Sequence, residues 1–334
     1  MAAKSPPMLS ILLFSVFILS SSPAPAIAGK CNKDDKKALI AIKAHFNDAY
    51  HFASWTNTSA CCDWYGVECS PDSGRVTGLY VIQDNLVGTL PSAIGDLPLL
   101  TSLRFHKLPN LTGSIPESIT KLQSLSVLIL SWNSLSGPIP SFLNSLRALT
   151  VLDLSFNLFS GAIPPSLSSL PNLLALHLDR NQLSGPIPSS FSSFPSSPDL
   201  YLSHNHLSGP IPPSLASSPF DTIDFSRNNL SGDASFFFSS SNPITHIDLS
   251  RNQLSFDFSK VNFPANLTVL DLNHNMIFGS IPAEINKLTG LSDFNVSYNR
   301  LCGEIPPGTV TAKFDEFSYF HNKCLCGPPL AACK

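Results

Sequence analysis

The sequence predicts an α/β solenoid on three observations: one motif recurs every 23 to 25 residues, its prolines fall in phase with it, and the cysteines are confined to the two ends. The segment Val151 to Pro164, VLDLSFNLFSGAIP, overlays SVLILSWNSLSGPIP, ALHLDRNQLSGPIP, LYLSHNHLSGPIP, HIDLSRNQLSFDF, VLDLNHNMIFGSIP and FNVSYNRLCGEIP. The residue closing each copy sets the period: Gly88, Gly113, Gly137, Gly161, Gly185, Gly209, Gly232, then Phe256 in place of glycine, Gly279 and Gly303. Ten such copies define a leucine-rich repeat superhelix. No single copy buries enough apolar surface to stand alone, so neighbours must share one core.

Taken in order, the chain begins with Lys4, an apolar run from Leu9 to Leu19 and the small-residue site Ala26-Ile27-Ala28. Residues 1–28 therefore read as a secretory leader, too short in its apolar part to span a bilayer. Losing Lys4 with the leader leaves 19 of the 20 basic residues against 23 acidic ones, a net charge of −4. A secreted, soluble, mildly acidic protein is expected.

Residues 29–75 form a cysteine-rich cap. Within it DDKKALIAIKAHFN, Asp34 to Asn47, places Ala38, Leu39, Ile42 and Phe46 near helical spacing behind two aspartates, so a helix there can cover the raw end of the solenoid. Trp55 and Trp64 supply cap core. The repeat array occupies residues 76–303, and a second cap residues 304–334, with Cys302 at the junction.

The eight cysteines divide into Cys31, Cys61, Cys62 and Cys69 before the array, and Cys302, Cys324, Cys326 and Cys333 at its end. Ten stacked strands about 4.8 Å apart hold the groups roughly 40 Å from each other, far beyond the reach of a disulfide. Each end pairs within itself. Adjacent Cys61 and Cys62, and the close Cys324 and Cys326, would make strained rings, which leaves two pairings at each end. Cys31 with Cys61, Cys62 with Cys69, Cys302 with Cys324 and Cys326 with Cys333 is the expected set. An exported chain oxidises its thiols, so no metal site is expected here, and no cofactor.

Inside a repeat, Leu152 and Leu154 alternate inward on a short strand, and Asn157 follows at the turn. Asn133, Asn157, Asn181, Asn205, Asn228, Asn252, Asn275 and Asn299 make a buried polar ladder, while Phe159, Ile163, Leu167 and Leu170 complete the core. Two copies are irregular. The second, SLRFHKLPNLTG, has one extra residue and places proline at the expected asparagine; the eighth has Phe256 and loses its Ile-Pro step. Sequons at Asn57, Asn110, Asn229 and Asn266 are glycosylation candidates on turns or the convex side, whereas Asn295 falls on a concave position where a glycan is not expected.

Residues alternating with the inward leucines must face out on the concave side. The position between the two inward residues reads Ile129, Asp153, His177, Tyr201, Asp224, Asp248, Asp271 and Asn295; the position before each ladder asparagine reads Trp132, Phe156, Arg180, His204, Arg227, Arg251, His274 and Tyr298. An acidic column thus runs beside a basic one. Arg227, Arg251 and His274 are expected to compensate Asp224, Asp248 and Asp271, since like charges across neighbouring strands destabilise a sheet. Aromatic Tyr80, Trp132, Phe156, Tyr201 and Tyr298 on the same face suit a surface that a partner covers. Catalysis is not expected, because every serine, histidine and aspartate sits in a repeat slot that explains it; even His204-Asn205-His206 is built on a ladder asparagine. The net negative charge argues against nucleic acid.

Several motifs resemble one family closely: CCDWYGVEC at 61–69, FHKLPNLTG at 105–113, LDRN at 178–181, PDLYLSHN at 198–205, GDAS at 232–235, NVSYNRLCGEIP at 295–306 and YFHNKCLCGPPL at 319–330. Together with ten plant-type repeats between two caps, they are similar to plant polygalacturonase-inhibiting proteins from about Cys31 to Lys334. The resemblance implies a secreted cell-wall glycoprotein, monomeric and not an enzyme, that binds fungal endo-polygalacturonases and limits their cutting of pectin; binding of pectin (homogalacturonan) itself is a further implied contact. It implies a concave contact set of His106, Lys107, Val127, Ile129, Asp153, Ser155, His177, Asp179, Arg180, Tyr201, His204, Asp224, Arg227, Asp248, Arg251, Asp271 and His274. The alternative is an extracellular recognition or co-receptor module that presents the same face to a peptide or a receptor ectodomain. An ice binder on this scaffold would need a flat, regular threonine or asparagine face, which this charged concave face does not offer.

Overall fold

The computed structural model describes residues 31–334, so the expected leader at residues 1–28 lies outside the described residues. One sheet of eleven strands carries the concave side. Ten are array strands, from Val76–Ile82 to Asp293–Asn295, each parallel to the next; the cap strand Val67–Cys69 joins antiparallel at the N-terminal edge. Parallel neighbours require a long crossover, and the repeat supplies one. The chain turns at the ladder asparagine, passes through a second short strand and reaches Ile-Pro, where proline caps a five-residue 3₁₀ turn such as Glu117–Lys121, Ser141–Ser145 or Ala283–Lys287. Pro116, Pro140 and Pro282 hold φ between −67° and −74° with extended ψ, the φ to which the ring is locked. The in-phase prolines are the turn starts.

Inward leucines from every layer form one continuous core. Leu128, Leu152, Leu176, Leu200, Ile223, Ile247 and Leu270 are fully buried, and each adds on the order of 1.5 to 3 kcal/mol relative to exposure. The asparagine ladder stitches the layers. Asn205 Nδ2 donates to the carbonyls of Leu178, Leu202 and Ser203, while its Oδ1 accepts the Leu183 N–H of the preceding repeat at 2.9 Å. A further rung was not read from the sequence: Asn322 in the C-terminal cap donates to Val296 and Tyr319 carbonyls and accepts from Leu301 N–H.

The first eight repeats also contribute to a second sheet, eight strands from Gly88–Thr89 to Gln253–Leu254, which the sequence does not suggest. Its strands are two to six residues long, and seven of the eight contain a glycine at positive φ, such as Gly137 and Gly185, too short and too glycine-bound to show strand periodicity. This sheet ends at the eighth repeat. There Phe256 turns inward and packs with Phe238 and Phe258, which both meet Phe263, and a separate three-stranded sheet begins at Phe278–Gly279. That irregularity is an aromatic plug in the core. In the second repeat the ladder slot is filled by buried Leu108, not by proline as expected, because the extra residue enters one position later and bulges the strand Leu108–Gly113. Asn133 of the next layer still serves the Leu108 N–H at 2.9 Å.

The caps seal the ends. Helix Lys33–His45 starts on Asn32, whose Oδ1 accepts from Asp34 and Asp35 N–H, and it buries Ala38, Leu39 and Ile42 against the first repeats. Buried Asp35 takes both Arg75 guanidinium contacts at 2.8 and 2.9 Å plus the Val76 N–H, which ties the helix to the first array strand. Trp55 and Trp64 stack, buried, at 5.4 Å. Disulfides join Cys31 to Cys61, Cys62 to Cys69, Cys302 to Cys324 and Cys326 to Cys333.

Candidate functional site

Because the strands are in register, identical repeat positions line up as columns across the concave face. Ile129, Asp153, His177, Tyr201, Asp224, Asp248, Asp271 and Asn295 are successive partners in one column. Val127 stands in the neighbouring column between Ser102 and Val151. Ser155, Asp179, Ser203, Ser226, Ser250 and Asn273 follow two residues later in each repeat.

The acidic column is not neutralised as expected. Among the described residues, no arginine, lysine or histidine comes within 4.0 Å of Asp153, Asp179, Asp224, Asp248 or Asp271. The physical reason lies in the backbone. Each carboxylate folds onto its own turn: Asp153 Oδ1 accepts from Ser155 N–H at 3.0 Å and Ser155 Oγ–H at 2.7 Å, Asp224 repeats this with Ser226, Asp248 takes Ser250 N–H, and Asp271 takes Asn273 N–H and Nδ2–H. Asn295 makes the same bonds to Ser297 in the same slot, which ties up its side chain on this face. Arg227 and Arg251 line the same depression as Asp224, Asp248 and Asp271, yet among the described residues they form no ion pair with them.

Unpaired charge leaves its mark on proton affinity. Burial, with Asp153 beside it, pushes Asp179 up to about 6; burial, with Asp248 and Asp293 as neighbours, pushes Asp271 up to about 7. Asp248 is raised by burial and by Asp224. Burial lowers His106, His177, His204 and His274, and neighbouring cations lower all of these except His177. These histidines stay neutral at neutral pH.

The position before each ladder asparagine holds a feature the sequence does not show. Gln83, Lys107, Trp132, Phe156, Arg180, His204, Arg227, Arg251, His274, Tyr298 and His321 all have φ between 52° and 58°. A side chain in this left-handed region costs about 1 kcal/mol or more, and glycine would avoid it. None of these positions is glycine, so the array carries this strain at each of these turns. Trp132 stacks on Phe156 at 3.6 Å and the Arg180 guanidinium lies 4.8 Å over the Phe156 ring; at the other end His274, Tyr298 and His321 stack at 4.0 and 4.3 Å. Trp132, Phe156 and Tyr298 are thus members of the face that the expected contact set omits, although their exposure was legible from alternation. In the neighbouring column His177 stacks on Tyr201 at 4.4 Å.

All seventeen residues of the expected contact set lie on the concave strands or the turns that leave them, with His106 Nδ1 2.9 Å from Ser131 Oγ and Lys107 exposed beside it. Asp179, Arg180, His204, Asp224, Arg227, Asp248, Arg251 and Asp271 line one open depression. The sequon residues Asn57, Asn110, Asn229 and Asn266 are exposed and lie off the concave strands.

A capped parallel solenoid presenting aligned, unpaired charges and stacked aromatics on its strand face is a leucine-rich repeat recognition protein. Family models agree on the class: a leucine rich repeat N-terminal domain matches residues 32–70, and leucine rich repeats match residues 147–207, 124–146, 199–218 and 266–288. Polygalacturonase inhibitor 2 of Arabidopsis thaliana is 55% identical over 98% of this chain and 99% of its own length. The polygalacturonase inhibitor of Pyrus communis is 54% identical over 97% and 98%. The crystal structure of a plant ice-binding protein is 50% identical and superposes with a TM-score of 0.89, covering 91% of this chain and 99% of that one. The chain belongs to the polygalacturonase inhibitor family of leucine-rich repeat proteins.

Proposed function

We propose that this protein is a secreted inhibitor of fungal endo-polygalacturonases that docks on them through the concave face and limits pectin degradation in the cell wall. The observation that carries it is identity of 55% over nearly the whole of both chains to a protein named a polygalacturonase inhibitor. The geometry supports it. An enzyme that cleaves a polyanion must line its cleft with cations, and carboxylates left without internal cationic partners suit such a rim, where complementarity sets encounter and selectivity. Occupying the rim excludes the polymer, so inhibition needs no chemistry from this chain. The chain acts as a monomer and not as an enzyme. The cations at Arg180, Arg227 and Arg251 are available to pectin carboxylates. Glycans at Asn57, Asn110, Asn229 and Asn266 would leave the concave face clear. Among the described residues no helix is long and apolar enough to cross a membrane, which suits export.

Ice binding is a second reading because the plant ice-binding protein shares this scaffold. An ice-binding surface needs a flat, regular array. Outward positions of the second sheet read Ser134, Leu158, Gln182, His206, Asn229 and Gln253, an irregular set that favours the inhibitor. A recognition module for peptides or receptor ectodomains has less support from the relatives.

The test is reducing-end release from polygalacturonate by a panel of fungal endo-polygalacturonases, with and without the purified protein, beside an ice-recrystallisation assay. Loss of release for some of the enzymes is expected. Unimpaired release across the panel by folded protein would refute the proposal, and growth arrest of ice crystals would replace it.

A further inference from the structure

The concave face changes character at its N-terminal end. Along the acidic column's own register the first residues are Tyr80, Arg104 and Ile129, and only then Asp153. Tyr65, Gly66, Tyr80, Ile82 and Arg104 enclose an open cleft of about 360 Å³. Its walls are apolar and wet: Tyr65 is 63% exposed and Ile82 37%. Arg104 lies 5.6 Å over the Tyr80 ring, and among the described residues neither Arg104 nor Lys107 has a carboxylate within 4.0 Å. The nearby Glu68 carboxylate is already engaged, accepting from Tyr80 Oη–H at 2.6 Å. The cap core does not need this patch. Tyr65 contributes its backbone to the cap, its carbonyl accepting from Trp55 Nε1–H and its N–H donating to Ser54 Oγ, while its ring meets the His51 ring edge-on.

Tyrosine and arginine around an apolar recess are the composition of binding hot spots. The patch is continuous, strand for strand, with the face proposed above for docking, and along the shared column its charge is opposite: Arg104 here, with Lys107 beside it, against Asp153, Asp224, Asp248 and Asp271 beyond. We propose that this cleft is the apolar anchor of that docking surface, taking a loop of the polygalacturonase whose aliphatic or aromatic side chain enters between Tyr65 and Ile82 while an adjacent carboxylate of the loop pairs with Arg104 and Lys107. The opposite signs at the two ends fix the direction in which the enzyme lies along the solenoid: an acidic, apolar loop at the N-terminal repeats, a cationic rim over Asp153 to Asp271. This rests on the inhibitor reading.

The test is surface plasmon resonance against an endo-polygalacturonase that the wild-type protein inhibits, using Tyr65→Ala, Ile82→Ala and Arg104→Glu, each first matched to wild type in thermal unfolding. Tyr65→Ala and Ile82→Ala are expected to raise Kd about tenfold through faster dissociation, with association and salt dependence unchanged. Arg104→Glu is expected to raise it at least as much, partly through slower association that added salt relieves. Arg104 is a surface residue, so its variant keeps the test open should an alanine variant fold poorly. Kd values within twofold of wild type for all three would overturn the anchor while leaving the inhibitor reading standing. Failure of the wild-type protein to bind any enzyme of the panel would overturn both.

Discussion

Replacing Asp271 by asparagine should stabilise the protein near neutral pH and do nothing in acid. Folded Asp271 holds its proton up to about pH 7, whereas in the unfolded chain an aspartate loses it near pH 3.9. Between those values the folded state binds more protons than the unfolded one, so stability falls as pH rises through that window. A shift of roughly 3 units corresponds to a ceiling of about 4 kcal/mol, and water reaching this mostly buried carboxylate screens part of it, leaving about 2 kcal/mol as the expected gain. Asparagine is tolerated in this slot, since Asn295 occupies the next position of the column and accepts Ser297 N–H at 3.0 Å, as Asp271 accepts Asn273 N–H at 2.9 Å. The assay is urea denaturation of wild type and Asp271→Asn at about pH 3, below the unfolded-state value, and about pH 7.5, above the folded one. A higher midpoint only at the upper pH is expected. An equal shift at both values, or destabilisation at the upper one, would refute the reasoning that an unpaired, buried charge is the cause.

Asn205→Ala removes one amide that serves four backbone groups in two adjacent layers; stranding buried polar groups at about 1 to 3 kcal/mol each should cost roughly 3 to 5 kcal/mol, read as a lower urea midpoint. Docking of a cationic rim over Asp179 and Asp271 should expel their protons, so affinity should rise between about pH 5 and pH 7.5 with release of more than one proton, measured by calorimetry in buffers of different ionisation enthalpy. Trp132→Gly should relieve the left-handed strain at φ 58° and so leave thermal stability within about 1 kcal/mol of wild type, yet weaken enzyme binding several-fold by removing the exposed end of the Phe156 and Arg180 stack.

Much of the fold was legible because repetition averages out local ambiguity. One LDLSFN is an ambiguous short strand, but ten copies in phase leave no other period. The ladder asparagines, the cap helix over Ala38, Leu39 and Ile42, and the outward columns all follow from alternation and spacing. The second sheet was not legible, because its strands are too short and glycine-bound to carry a pattern of their own. Asn322 escaped notice because the cap inserts one residue between it and Gly327, breaking the four-residue step from asparagine to glycine. The expected pairing of Asp224, Asp248 and Asp271 with Arg227, Arg251 and His274 failed for a reason that spacing cannot reveal. Arg227 and Arg251 share one depression with the carboxylates but, like His274, stand at turn positions of positive φ, and Ser226, Ser250 and Asn273 hold the carboxylates locally.

That docking lies on the concave acidic column is tested most directly by one titration. An endo-polygalacturonase that the wild-type protein inhibits is assayed by reducing-end release against rising concentrations of wild type and of the Asp153→Asn, Asp224→Asn, Asp248→Asn triple variant. The variant keeps the local Oδ1 bonds, as Asn295 does, so it should fold normally. The concentration for half inhibition should rise at least tenfold, in line with coupling of about 1.5 kcal/mol or more for a close interfacial charge pair. Inhibition unchanged by the triple substitution, in protein of normal stability, would contradict the assignment of the enzyme contact to this face.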